Sequence, residues 1–141
     1  MSRKLSSDEV FEIVKASEAE TSAAVKLSNA WGEHVAGDVY EERLLLDLVK
    51  SGRSNVSAVQ VNGRPVYTIF WGVSDAGWLF VHAVVAMVKG ADIRLAERAV
   101  VKLGREHGCK VAQCATIRAG MLNFLTAESW SPLGVVLIKQ L

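Results

Sequence analysis

Residues 78–141 decide the fold: WLFVHAVVAMVKGADIRLAERAVVKLGREHGCKVAQCATIRAGMLNFLTAESWSPLGVVLIKQL. Continuous apolar runs alternate here with amphipathic repeats of helical period, at close spacing. The pattern predicts, in order, strand, helix, strand, helix and strand over 78–87, 92–107, 109–115, 117–127 and 134–140. Strand–helix–strand crossovers are nearly always right-handed and join parallel strands. We therefore expect 78–87 and 109–115 to be parallel neighbours in one sheet.

The N-terminal half completes the element order. A short strand over 10–15 is followed by a helix, for which Ser17 and Glu20 have capping-box spacing. A second helix over 38–52 precedes two strands joined by Asn62-Gly63, the strongest short hairpin signal in a sequence. The predicted order is β-α-α-β-β-β-α-β-α-β. It indicates one α/β domain over residues 1–141, with a mixed, mostly antiparallel central sheet and helices on both faces.

Composition narrows the class of protein. The chain of 141 residues is half apolar and has a formal net charge of +1, from 16 basic and 15 acidic residues. This balance predicts no nucleic-acid partner. The longest apolar run, 78–88, is too short to cross a bilayer. Cys109 and Cys114 are placed on opposite faces of one predicted strand, so we expect no disulfide between them and a reducing, cytoplasmic location.

Two segments carry a family resemblance. The run KGADIRLAERAVVKLGREHGCKVAQCAT, residues 89–116, resembles the acetyl-CoA-binding segment of the GNAT acetyltransferase superfamily. The tail MLNFLTAESWSPLGVVLIKQL, residues 121–141, is similar to the family's final helix, aromatic turn and closing strand. The element order resembles that family over nearly the whole chain. The resemblance implies a GNAT-like fold.

The resemblance also implies a cofactor site. In GNAT enzymes acetyl-CoA lies in a wedge between two splayed parallel strands, and the loop after the first of them binds pyrophosphate. Carried over to this sequence, the pantetheine arm would pair with the strand around Val85 and Met87. Lys89 and the backbone of Gly90, Ala91 and Ile93 would hold the pyrophosphate. The implied acceptor is a small amine, or the N-terminus or a lysine of a protein.

Several positions depart from the family pattern. Asp92 and Arg94 occupy the two small positions of the loop, and Asp92 has the spacing of an ordinary N-cap. Phe124 stands where the family commonly has a tyrosine acid on the last helix. The candidates for the catalytic base are His82, which could equally be a core histidine, and Glu33 and His34. Ser129 and Cys114 could supply a proton in principle, and no group of residues has metal-ligand spacing.

The departures leave the activity open between alternatives. One is an acetyl-CoA-dependent N-acetyltransferase with a degenerate cofactor loop. The second is a catalytically inactive GNAT-like structural or interaction protein, which predicts a homodimer or another partner. A helix start like Arg118-Ala119-Gly120-Met121 occurs in shortened GNAT-like phage proteins, so this alternative includes a phage accessory or virion role. The third is a ligand-binding domain of a different mixed fold.

Overall fold

A computed structural model describes residues 10–30, 42–115, 119–133 and 136–141. Within them, the helices are α1 Glu18–Ala30, α2 Glu42–Lys50, α3 Ile93–Glu106 and α4 Ala119–Ala127. The strands are β1 Glu12–Lys15, β2 Asn55–Val61, β3 Arg64–Val73, β4 Trp78–Ala86, β5 Val111–Ala115, β6 Ser131–Leu133 and β7 Val136–Gln140.

The strands form a single mixed sheet in the order β1-β2-β3-β4-β5-β7-β6. β4 and β5 are parallel neighbours joined by α3, while the other described pairs are antiparallel. The predicted α/β class, mixed sheet and parallel pair are confirmed. Within the described ranges, the structure adds one strand to the predicted set, β6, which pairs with β7. The sequence predicts a single closing strand there, because three residues including Pro132 are too few to show a periodic pattern.

The hairpin between β2 and β3 follows the predicted turn chemistry. Asn62 has φ 52° and Gly63 has φ 76°, both in the left-handed region. These residues adopt that region at low cost, which is why the dipeptide joins twisted antiparallel strands so well. The flanking residues Val61 and Arg64 are paired across the turn.

The sheet separates two apolar clusters. The larger cluster packs α3 against one face, with Leu95, Val100 and Leu103 meeting buried side chains of the central strands. The smaller cluster lies under α1 and α2, where Val25 and Leu45 are grouped with Phe70 of β3 and with Ala83 and Val85 of β4. Helices therefore cover both faces, as the sequence predicts.

Helix termini are fixed by local hydrogen bonds. At the start of α1 the Glu20 amide donates to Ser17 Oγ at 3.1 Å, and the Ser17 amide donates to Glu20 Oε1 at 3.0 Å. This is the reciprocal capping box predicted from the spacing. At the C-terminal end of α3, Gly108 has φ 69°, which ends the helical path.

One charged residue of α3 is buried although charged side chains usually lie in solvent. Glu97 is 8% exposed. Its carboxylate accepts from Trp130 Nε1 at 3.3 Å and is 3.0 Å from Lys139 Nζ, which also donates to the Glu128 carbonyl. Burial is tolerated because the charge is paired and hydrogen-bonded. The partners are distant in the chain, so helical periodicity alone could not identify them.

No disulfide joins Cys109 and Cys114. The single strand predicted for both of them is wrong, because β5 begins at Val111 and Cys109 precedes it. Cys109 is buried in the larger of the two apolar clusters, which lies on the α3 side of the sheet and is called the α3-side cluster below. Burial raises the pKa of its thiol.

Candidate functional site

Among the residues that the structure describes, the parallel pairing of β4 with β5 covers the first half of β4. Its register runs from Trp78–Val111 to Val81–Cys114, and β4 then continues for five residues, to Ala86. β5 ends at Ala115. The second half of β4 is thus held in register by β3, with Tyr67 opposite Ala86. A strand that outruns its neighbour presents a backbone edge to which an extended, amide-containing molecule can add.

The predicted pantetheine-contacting residues lie on that second half and just after it. Val85 is buried, and its side chain belongs to the smaller cluster under α1 and α2. Met87 packs on the same cluster, and its amide donates to the Val66 carbonyl at 2.8 Å. Their side chains are therefore used by the core, so a ligand along this strand would meet backbone groups.

A bulge in β4 sets the position of His82. Phe70 of β3 pairs with Ala83 while Trp71 pairs with Val81, so His82 is the extra residue. A bulge interrupts the alternation of side chains and re-aims the residue it contains. His82 is partly buried, and burial lowers the pKa of its imidazole below 6.5, an effect that a hydrogen bond with the Arg53 backbone opposes. The neutral form is therefore favoured near pH 7.

The loop after β4 presents the predicted basic residue to solvent. Lys89 and Gly90 are exposed, and Gly90 has φ 77°, a conformation in which glycine is unstrained. Ala91 and Ile93 are partly buried against the α3-side cluster, which anchors the loop and the first turn of α3. The structure therefore brings Lys89, Gly90, Ala91 and Ile93 together beside the end of β4.

Asp92 is the N-cap of α3. Its Oδ1 accepts from the Arg94 amide at 3.0 Å, so one amide that an anion could use is taken by the protein. The Arg94 guanidinium folds back on the same carboxylate, with Nε 3.2 Å from Oδ1 and Nη2 2.9 Å from Oδ2. These hydrogen bonds raise the pKa of Arg94. Asp92 and Arg94 thus form an ion pair at the start of α3.

The described residues supply no tyrosine acid on α4. Phe124 is partly buried against the α3-side cluster. Tyr67 is buried on β3, and burial, together with the negative charge of Asp92, raises the pKa of its hydroxyl. It is therefore poorly suited to donating a proton near pH 7. Tyr40, Glu33 and His34 lie outside the described residues, as does Arg118.

Cys114 is the potential proton donor that the structure places at the strand junction. It pairs with Val81, the last matched residue before His82, and is partly buried on the α3 side of the sheet. The sequence offered no spacing that singled it out, because its neighbour in space comes from the crossover geometry. Ser129, the other candidate, is exposed with φ 70° in the turn after α4.

Other features of the molecule lie away from these residues. A cavity of about 830 Å³ lies beside the β1–α1 junction and the end of α3, and none of the predicted cofactor residues lines it. His107 on its wall stacks against Trp71 with ring centroids 4.6 Å apart. The part of the chain described here contains no group of three or more His, Cys, Asp or Glu side chains placed to hold a metal. Nor does it contain a helix long and apolar enough to cross a membrane.

Comparison with solved structures identifies the fold. An N-acetyltransferase from Staphylococcus aureus Mu50 is 13% identical, with a TM-score of 0.59, and covers 94% of this chain and 99% of its own. A ribosomal-protein-alanine N-acetyltransferase from Brucella melitensis is 16% identical, with a TM-score of 0.61, over 92% of this chain and 99% of its own. A GNAT family acetyltransferase from Brucella melitensis, in complex with acetyl-CoA, is 12% identical, with a TM-score of 0.61, over 94% and 88%.

These similarities show that the chain has the GNAT fold over nearly its whole length. The predicted GNAT-like architecture is confirmed, and the alternative of a different mixed fold is wrong. No protein-family model matches the sequence, and a search of curated proteins found no match. At these sequence identities the comparisons establish the fold of the chain, and its activity has to be argued from its own residues.

Proposed function

We propose that this chain is an N-acyltransferase that transfers acetyl from acetyl-CoA to a primary amine, either a small molecule or a protein N-terminus or lysine. The observation that carries the proposal is the juxtaposition at the end of β4. In the described part of the chain, β4 continues for five residues beyond its last pair with β5, and the exposed Lys89–Gly90 loop then leads into α3. The backbone of β4 could thus pair with the amide-rich pantetheine arm, and Lys89, which follows it in the chain, could bind the pyrophosphate.

The electrostatics of the loop allow an anion, though weakly. Lys89 and Arg94 contribute two positive charges near the start of α3, and Asp92 contributes one negative charge. A pyrophosphate could draw on Lys89 and on the guanidinium donors of Arg94 that do not face Asp92. Because Asp92 holds the Arg94 amide, we expect side chains to supply more of the phosphate contacts than the loop amides do.

The chemistry assigned to the chain's own residues is proton transfer. When bound, the cofactor would supply a thioester, whose C–S bond breaks as the new C–N bond forms. His82, neutral and partly buried on β4, would accept the proton that the attacking amine loses, directly or through water. The thiolate that leaves would take a proton from solvent or from Cys114 beside Val81.

Binding is the first test. We expect calorimetric titration with acetyl-CoA to give saturable heat, and Lys89→Ala to weaken binding by roughly tenfold, or about 1.4 kcal/mol. Lys110→Ala is the matched control, because Lys110 is also exposed but lies before β5. The proposal fails if neither the native chain nor Asp92→Asn binds acetyl-CoA at millimolar concentration.

Turnover separates the enzyme from the inactive GNAT-like alternative. Release of free CoA thiol would be followed with a panel of small amines and with peptides carrying a free N-terminus or lysine. We expect thiol release with at least one class of amine, and loss of most of the rate in His82→Gln. Binding without release for every amine would instead support a structural or interaction protein.

A further inference from the structure

The turn that follows α2 lies close to the bulge in β4. If Gly72 of β3 carried a Cβ, that atom would lie 2.7 Å from the Arg53 carbonyl oxygen and 3.5 Å from His82 Nε2. The first distance is shorter than real Cβ contacts allow, and the obstacle is backbone. A glycine inside a strand is costly, and it often marks the close approach of another backbone segment. Gly72 provides the space that the Arg53 carbonyl and the imidazole share.

The Arg53 carbonyl is held in place by the end of α2. The amides of Arg53 and Ser54 both donate to the Leu48 carbonyl, at 2.9 and 3.0 Å. Gly52, with φ 75°, makes this turn possible. The Arg53 carbonyl and His82 Nε2 both border the space beside Gly72, and the Arg53 backbone acts to raise the pKa of the imidazole. Two backbone hydrogen bonds thus hold the turn that carries this carbonyl beside the imidazole.

The bulge completes the arrangement from the other side. Because His82 is the extra residue between the Val81 and Ala83 pairs, its Cα is displaced from the regular path of β4. Ala83 belongs to the cluster under α1 and α2, and Gly72 lies beside the turn that follows α2. The strand bulge and the turn therefore converge on one imidazole.

We propose that the turn at Gly52–Ser54, together with Gly72, is a positioning device that fixes the orientation and the tautomer of His82. The ring nitrogen that faces the Arg53 carbonyl must carry a hydrogen, which leaves the other nitrogen as the proton acceptor. Arg53 and Gly72 are positioning residues and do not touch the reacting atoms. The catalytic consequence rests on the proposed function, whereas the orientation of His82 does not.

The orientation is tested by nitrogen-15 NMR of the histidine side chains, with the His82 signals assigned from their loss in His82→Gln. We expect the native chain to show His82 as one neutral tautomer, with one ring nitrogen protonated and the other not. In Gly72→Ala the added methyl must displace the carbonyl, and the two nitrogens should move toward the averaged values of a tautomer mixture.

Two further variants separate an effect on His82 from a general loss of stability. Gly52→Ala strains the turn at positive φ without meeting any atom within 4 Å, so it should loosen the tautomer preference in a chain that still folds. Gly104→Ala is the control, because its added Cβ meets chiefly the Leu141 and Leu79 side chains. An averaged tautomer in the native chain, or unchanged His82 signals in both Gly72→Ala and Gly52→Ala, would overturn the proposal.

Kinetics test the catalytic consequence separately. We expect Gly52→Ala to lower kcat by about tenfold while leaving KM for acetyl-CoA unchanged, since misplacing a proton acceptor affects the chemical step. If the tautomer changes and kcat does not, the turn orients His82 without affecting catalysis, and the proposed catalytic consequence is overturned. If the native chain transfers no acetyl group but keeps the single tautomer, the proposed function fails and the positioning of His82 stands.

Discussion

Asp92 has opposite effects on the helix it starts and on an anion bound there. As the N-cap it satisfies the Arg94 amide and favours α3. As a carboxylate it repels phosphate and engages the guanidinium of Arg94. The sequence alone indicated the N-cap. The bidentate contact with Arg94 is visible only in the structure, because the spacing of two residues does not fix where a long, flexible side chain folds.

Asp92→Asn separates the two effects, because asparagine caps helices about as well as aspartate and carries no charge. We expect acetyl-CoA affinity to rise roughly fivefold, or about 1 kcal/mol, with little change in thermal stability. Titration calorimetry at low salt measures the first effect, and a thermal melt measures the second. Asp75→Asn, an exposed turn residue, is the control. Unchanged or weaker affinity in Asp92→Asn would contradict the prediction.

His82 should make stability depend on pH. Burial lowers the pKa of the folded-state imidazole below 6.5, so the unfolded chain binds the proton more readily. The stabilisation is fully present above the unfolded pKa and is lost as pH falls through the lowered folded pKa. Urea denaturation from about pH 7.5 to about pH 5 should therefore show a steeper loss for the native chain than for His82→Gln. Parallel curves for the two proteins would disprove this.

At the scale of elements, local chemistry was readable and long-range pairing was not. The capping box of α1, the Asn62-Gly63 hairpin and the N-cap of α3 depend on neighbours within four residues, and all three are present. The burial of Glu97 cannot be predicted from its own helix, because its partner Lys139 comes from β7. The bulge at His82 was invisible for a related reason, since it is a relation between the registers of two strands.

The capping box gives a prediction for α1. Ser17→Ala removes the acceptor of the Glu20 amide and leaves it unsatisfied, at a cost of about 1 kcal/mol. For a chain of this length the melting temperature should fall by about 2–4 °C. Ser22→Ala, an exposed position inside the same helix, should cost less, because it removes no cap. Equal losses for the two variants would show that the box contributes nothing.

At the scale of the molecule, one buried ion pair joins the C-terminal strands to α3. Glu97→Gln leaves Lys139 without its countercharge, and we expect a loss of about 3 kcal/mol in the free energy of unfolding. The double variant Glu97→Gln with Lys139→Met should recover part of this, since no unpaired charge remains. Glu106→Gln breaks the exposed contact with Lys102 and should cost less than about 0.5 kcal/mol.

Urea titration of these variants checks the ranking. Should Glu97→Gln prove no more destabilising than Glu106→Gln, the buried pair would not be a significant link between α3 and β7. If the double variant is less stable than both Glu97→Gln and Lys139→Met alone, the packing of the Lys139 side-chain stem matters more for stability than its charge.

The two apolar clusters differ in size, so the helices on the two faces of the sheet should differ in their resistance to local unfolding. The smaller one under α1 and α2 offers less buried surface to hold that layer than the larger one offers α3. Sub-global unfolding should therefore begin at α1 and α2, while the strands and α3 stay folded. Arg53 follows the end of α2, so local unfolding of this layer would move its carbonyl away from His82. The rate of such opening would then limit how long His82 stays oriented for proton transfer.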